Sequence, residues 1–291
     1  MAVLVAIPAL LAEVVGVALG LPLGASTVIA GIAAVIALGV ALWGYRWGDG
    51  FVLGVSEALP ADRQKYELLY QVVEELCIGE GIPVPKVYVI QDAAPNAFAT
   101  GRDPQHASIC VTTGLLDKMS KLELEGVVGH ELSHIGNLDI RVTLITAVLV
   151  GVIAVMVDVM LRATWFGAGS RSRYRGRGED AGGAIMLVVA IVAMVLAPLV
   201  ATMIQMAVSR QREYLADASS ALLTRYPEGL ASALQKISND PDPLNVATKG
   251  TAHLFIAEPL KGHESSLNNL FDTHPPIQER IKRLRAMEGR V

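Results

Sequence analysis

Long stretches without charge decide what this chain can become. Residues 181–209 contain no Asp, Glu, Lys or Arg, and residues 1–45 contain only Glu13. A third apolar run lies between Arg141 and Arg162, interrupted only by Asp158. A bilayer core of about 30 Å takes roughly 20 apolar residues in a helix. The first stretch is long enough for two crossings and has a turn at Pro22-Leu23-Gly24. The expectation is four transmembrane helices in two hairpins, over 1–45 and 141–208. The fourth run exceeds the bilayer thickness and is expected to tilt or to continue beyond the membrane. Glu13 is costly in lipid and is expected to face protein or to snorkel. The first run lacks the basic start of a signal peptide and is followed at once by a second apolar run.

Two polar segments remain, 46–140 and 209–291. With four crossings both lie on one side of the bilayer and can build one folded body. Residues 167–180, rich in Gly, Ser and Arg, form a loop on the far side. Basic residues flank the spans on both sides, so charge counting leaves the orientation open. Over the whole chain 52% of residues are hydrophobic and 18% charged, fewer charges than in an ordinary soluble domain. The net charge of −4 gives no reason to expect a nucleic-acid partner. Cys77 and Cys110 lack ligand-like spacing; the pair can be free or bridged, and a reduced compartment is the preferred reading.

Within the polar segments, apolar spacing predicts a helix over Ala61–Ile78, halted by Gly79 and Gly81. Strands are expected at Lys86–Gln91 and Ala107–Thr113, with a short edge strand at Asn96–Gly101. Further helices are expected over Lys121–Asn137, Gln211–Leu223, Gly229–Ile237 and Pro276–Met287. The fold class is α+β, mainly α, with a small sheet.

The second predicted helix carries His130-Glu131-Leu132-Ser133-His134. Histidines at i and i+4 lie one turn apart on one helix face, where two imidazole nitrogens can reach one tetrahedral zinc ion. The intervening Glu131 faces the position of a zinc-activated water and can take its proton. The competing reading is a solvated helix with two histidines. A catalytic zinc usually takes a third protein ligand. Glu213 and Asp217, one turn apart after the fourth run, can supply that ligand and a carboxylate for the far nitrogen of a ligand histidine. They can equally be surface partners of Arg210 and Arg212. Asp139 is a rival ligand, although five residues past His134 it lies off the histidine face. His274, in Thr273-His274-Pro275-Pro276, can stabilise an oxyanion from a rigid turn, or simply cap or pack a helix.

These pieces resemble the HtpX family of membrane zinc endopeptidases, relatives of the CAAX prenyl endopeptidases. The likeness is carried by the N-terminal hairpin, Pro95–Gly101, Val111–Leu116, Glu125–Ile135, Ser209–Asp217, Ala252–Ile256 and Thr273–Ile281. It implies a zincin-like metalloprotease domain of the gluzincin type. One Zn2+ would be held by His130, His134 and Glu213, with Asp217 behind the ligands and Glu131 as general base. It further implies that Asn96, Ala97, Phe98 and Ala99 form the edge strand that pairs with an extended polypeptide, and that His274 or Tyr214 assists at the oxyanion. The implied setting is multi-pass in the plasma membrane, with the catalytic side cytoplasmic and damaged or misassembled membrane proteins as substrates. Other readings are a zinc-stabilised membrane scaffold without catalysis, a transporter drawing on Glu13 and Asp158, and a prenyl-protein endopeptidase.

Overall fold

The computed structural model describes residues 5, 6, 9, 10, 12, 13, 16, 17, 22–141, 210–242, 244, 255, 256 and 275–289. The third and fourth apolar runs and His274 lie outside these described residues. The chain divides into two compact units, Met1–Tyr45 with Ile145–Ile204, and Arg46–Leu144 with Gln205–Val291.

A long helix, α1 (Leu23–Val55), starts in the first unit directly after Pro22, and its last residues, from Arg46, belong to the second. The Pro22 carbonyl accepts from the Ala25 and Ser26 amides. The Ser26 and Thr27 hydroxyls fold back onto the Leu23 carbonyl at 2.8 Å. Thr27 also donates to Glu13, 3.1 Å away, so this acid has a polar partner. Leu23–Val40 is long and apolar enough to cross a membrane, the only such helix among the described residues. Val28, Ile32, Val35 and Ile36 are exposed along it. The helix does not stop at the expected boundary after Tyr45. Trp47, Phe51, Val52 and Leu53 continue its apolar spacing, and Gly48 and Gly50 each weaken it by only about 1 kcal/mol.

The second unit is built on a four-stranded sheet in the order β1-β2-β4-β3, where β1 is Leu59–Pro60, β2 Lys86–Ile90, β3 Ala97–Gly101 and β4 Ala107–Thr112. Strands β2 and β4 are parallel, while β1 and β3 pair antiparallel at the two margins. Pro60 has no amide to donate and suits a margin. Side chains alternate faces along each strand. Val87, Val89, Ala97, Ala99, Ile109 and Val111 enter the main core. Ile90, Phe98 and Cys110 pack on the other face with Leu53, Leu244 and Phe255. Both cysteines are buried free thiols.

Helices close the main core. They are α2 (Glu67–Glu80), the short α3 (Thr113–Lys118), α4 (Lys121–Gly136), α5 (210–224), α6 (Pro227–Asn239) and α7 (Ile277–Arg285). Helix α2 begins later than the apolar spacing predicts, because Asp62 caps a turn by accepting from the Gln64 and Lys65 amides. Helix α4 packs on β3, α2 and α6, and α6 packs on α7. Its crossing with α6 is unusually close. A Cβ on Gly126 would sit 2.5 Å from the Leu230 nitrogen, and one on Gly229 would sit 2.5 Å from the Leu122 oxygen. Only glycine at both positions permits that approach.

Candidate metal centre

Helix α4 begins with a reciprocal cap. The Glu123 amide donates to the Ser120 hydroxyl, and the Glu123 carboxylate accepts from the Ser120 amide at 2.8 Å. From this fixed start the helix carries His130 and Glu131 into the interior, where they are 1% and 2% exposed. Helix α5 lies antiparallel beside it. The Ser220 hydroxyl donates to the Gly126 carbonyl at 2.7 Å, Asp217 faces His130, and Glu213 faces both histidines. Gly129 presents no side chain there, which lets Ser220 close in. Glu213, Asp217 and Ser220 follow helical spacing along one face of α5.

The two imidazole rings are nearly perpendicular, at 88°, with their Nε2 atoms 3.2 Å apart. Glu213 straddles the pair, with Oε2 3.5 Å from His130 Nε2 and Oε1 3.4 Å from His134 Nε2. Donors about 2.05 Å from a tetrahedral ion stand about 3.3 Å from one another. The two nitrogens stand near that separation, and each faces a different oxygen of Glu213 at a similar distance.

Each ring is held from behind by its own carboxylate. Asp217 Oδ1 is 3.1 Å from His130 Nδ1, and Asp139 Oδ2 is 3.0 Å from His134 Nδ1. A carboxylate only accepts, so each Nδ1 carries the hydrogen and each neutral Nε2 turns a lone pair inward. Two lone pairs and a carboxylate facing one another in a buried space repel unless a cation stands between them. The surrounding charge agrees. Glu131, Asp139, Glu213 and Asp217 are buried, while two guanidiniums, Arg212 on Asp139 and Arg280 on Asp217, answer them. Among the described residues these acids outnumber the guanidiniums paired with them, and two imidazole nitrogens with a carboxylate are the donor types that zinc takes, so the donor set fits zinc. Among the described residues, His130, His134 and Glu213 form the group able to hold a metal.

The same neighbours shift the titration of these groups. Burial opposes a charge on His130, but Asp217 and Glu213 outweigh it and push the imidazole pKa up. Burial is likewise overcome at His134 by Glu213. Burial pushes the Glu131 carboxyl above the usual range, offset only in part by the two histidines. Asp217 is held below the usual range because Arg280 and His130 outweigh its burial.

The other sequence-derived candidates within the described residues lie on β3, just before it and on α5. Ala97, Phe98 and Ala99 are in marginal strand β3, and Asn96 immediately precedes it. The Asn96 amide donates to the Thr112 hydroxyl at 2.9 Å. The Ala97 carbonyl accepts from the Ile256 amide at 2.9 Å, and Phe255 meets Phe98 edge-on at 5.1 Å between ring centroids. Tyr214 is half-buried, and its ring lies 3.8 Å beneath the Arg283 guanidinium. Asp139 orients His134 from behind instead of joining the donor triangle. Arg280 received no role from sequence reasoning. Its one signal was position, a charge between Ile277, Ile281 and Leu284 on the apolar face of an amphipathic helix.

Helices over a small mixed sheet, with this donor set between them, define a metalloprotease, and the chain belongs to peptidase family M48, whose model matches residues 63–288. It is 48% identical over 243 residues to a Protease HtpX homolog of Thermoanaerobacter pseudethanolicus, covering 84% of this chain and 79% of that one. A Protease HtpX homolog of Lactobacillus helveticus is 50% identical over 220 residues, 75% of this chain and 73% of that one. Such identity places the chain in the HtpX group, as a membrane metalloprotease. Among solved structures, S. mikatae Ste24p shares the fold with a TM-score of 0.51 at 20% identity. The match covers 86% of this chain, which spans 56% of that protein's length.

Proposed function

We propose that this chain is a zinc-dependent endopeptidase of the gluzincin type, with His130, His134 and Glu213 as ligands and Glu131 as general base. The observation that carries this reading is the meeting of two inward Nε2 atoms, spaced as a tetrahedral ion requires, with a buried carboxylate that faces both. A bound zinc ion would supply Lewis acidity, lowering the pKa of water to about 7 and polarising the scissile carbonyl. Glu131 takes the proton of the attacking water on a carboxylate oxygen, and its burial makes it a stronger base. It then delivers that proton to the leaving amide nitrogen. Asp217 and Asp139 keep both Nδ1 hydrogens outward throughout. An extended polypeptide pairs with β3, where strand alternation turns the backbone of Ala99 and Gly101 to the same side as the Ala97 carbonyl. His274, just before α7, or Tyr214 is the proposed oxyanion partner.

The proposed setting is a multi-pass protein of the plasma membrane with two hairpins, 1–45 and 141–208. The catalytic body, 46–140 with 209–291, faces the cytoplasm and acts on damaged or misassembled membrane proteins. The apolar α1 and the uncharged run 181–209 support the membrane part of this reading. The test is Glu131→Gln in the detergent-solubilised full chain. Zinc content measured by atomic absorption is expected to stay at one ion per chain, while casein hydrolysis falls by at least about 100-fold. Undiminished hydrolysis overturns the assignment of the base; loss of hydrolysis with retained biological function points to a scaffold instead.

A further inference from the structure

Arg280 is fully buried at the back of the metal centre, and its guanidinium is engaged on every side. Nε and Nη2 grip the two Asp217 oxygens at 2.9 and 2.7 Å. Nη1 donates to the Ile256 carbonyl at 3.0 Å and lies 3.3 Å from Glu213 Oε2. Nη2 also stands 3.4 Å from both ring nitrogens of His130. Removing a guanidinium from water costs several kcal/mol, and a forked grip on a carboxylate with a further bond to a backbone carbonyl offsets it. Such a residue is an unusual choice beside a cation site, because its charge repels the incoming ion. Its place there is explained by what it does to Asp217.

We propose that Arg280 is a positioning residue of the metal centre, acting through Asp217. An aspartate side chain left to itself rotates about two bonds. Gripped by both oxygens, it has one orientation, with Oδ1 toward His130 Nδ1, and that fixes the ring with Nε2 inward. The same guanidinium holds Ile256, whose amide bonds to Ala97 at the margin of the sheet. Helix α7 therefore sets the ring orientation of a ligand borne on α4 and anchors the segment lying against β3. This role rests on the assignment of His130, His134 and Glu213 as zinc ligands.

The test is a double-variant cycle in zinc affinity on the full chain in detergent, using Arg280→Gln, Asp217→Asn and the two combined. Zinc is titrated against a chelating dye, with far-ultraviolet circular dichroism confirming the fold. Each single variant is expected to bind zinc about 10–100-fold more weakly. The combined variant is expected to be no weaker than Asp217→Asn alone, because Arg280 has nothing left to orient. Wild-type affinity in Arg280→Gln, or losses that multiply in the combined variant, overturns the proposal, since a purely packing role is independent of Asp217. If Arg280→Gln does not fold, Arg280→Lys decides. It keeps the buried charge but cannot grip both oxygens, and wild-type zinc affinity in that variant overturns the proposal equally. A wild-type chain that binds no zinc refutes the ligand assignment itself, whereas zinc binding and hydrolysis unchanged in the variants refute only the role of Arg280.

Discussion

Each ligand imidazole leans on a carboxylate, and the two arrangements are reached by different routes. Asp217 comes to His130 from a separate helix, 87 positions away in the chain. Asp139 comes to His134 from just beyond the end of the same helix, and it arrives because Leu138 adopts a left-handed backbone, φ 59°. A β-carbon in that conformation costs about 1 kcal/mol, so the turn is held by what it achieves. Asp139 also bonds Arg212, which ties α5 to the end of α4. Replacing Asp139 by Ala is expected to weaken zinc binding by about 10–100-fold while leaving the ion count at saturation unchanged, as read by competition with a chelating dye. The i, i+4 histidines were legible because their relation is local. Asp139 was legible only as a rival ligand, since its position off the histidine face identifies a group that approaches a ring from behind. Arg280 was illegible in its role because every partner it has lies on another element.

At the scale of elements, α4 is stitched at its start to α6. Glu123, which closes the cap, also accepts from Ser232 and from Lys236, both at 2.6 Å. Burial works against the charged carboxylate, but Lys236, Ser232 and Ser120 outweigh it and bring the pKa from 4.5 to about 2. A lowered folded-state value means stabilisation that is complete above pH 4.5 and is lost as the pH falls toward 2. Solvent around the half-exposed Lys236 ammonium screens part of it, leaving about 1–2 kcal/mol. Glu123→Gln is therefore expected to cost about that much at pH 7 and nearly nothing near pH 2, compared by urea unfolding of both proteins without metal. Most strands and helices of the second unit follow from alternation and apolar spacing. The two-residue β1 does not, because so short a strand carries no period. Nor does the run of α1 beyond Tyr45, where charge marks the end of an apolar stretch without marking the end of a helix.

For the whole molecule, the deficit of positive charge inside the second unit makes metal a partner in folding as well as in chemistry. Among the described residues, Glu131, Asp139, Glu213 and Asp217 are buried together around the donor set, with Arg212 and Arg280 against two of them, so a cation there would relieve their mutual repulsion. Binding to the folded state alone stabilises by mass action, about 2.7 kcal/mol at a free concentration 100 times Kd. A strong chelator is expected to lower the unfolding temperature of the catalytic unit, and added zinc to restore it in proportion to the logarithm of its concentration, as followed by differential scanning fluorimetry. A melting curve indifferent to chelator and zinc would contradict this expectation.

The crossing of α4 and α6 at Gly126 and Gly229 bears on how such a centre can vary over evolutionary time. Peptide groups touch there with no side chain between them, so no rotamer can absorb a change and no neighbour can shrink to compensate. The spacing between the two helices is a rigid gauge block, one turn away from the first histidine. Any side chain placed at either position, remote from any bond made or broken, must drive the two backbones apart and carry the first histidine with them.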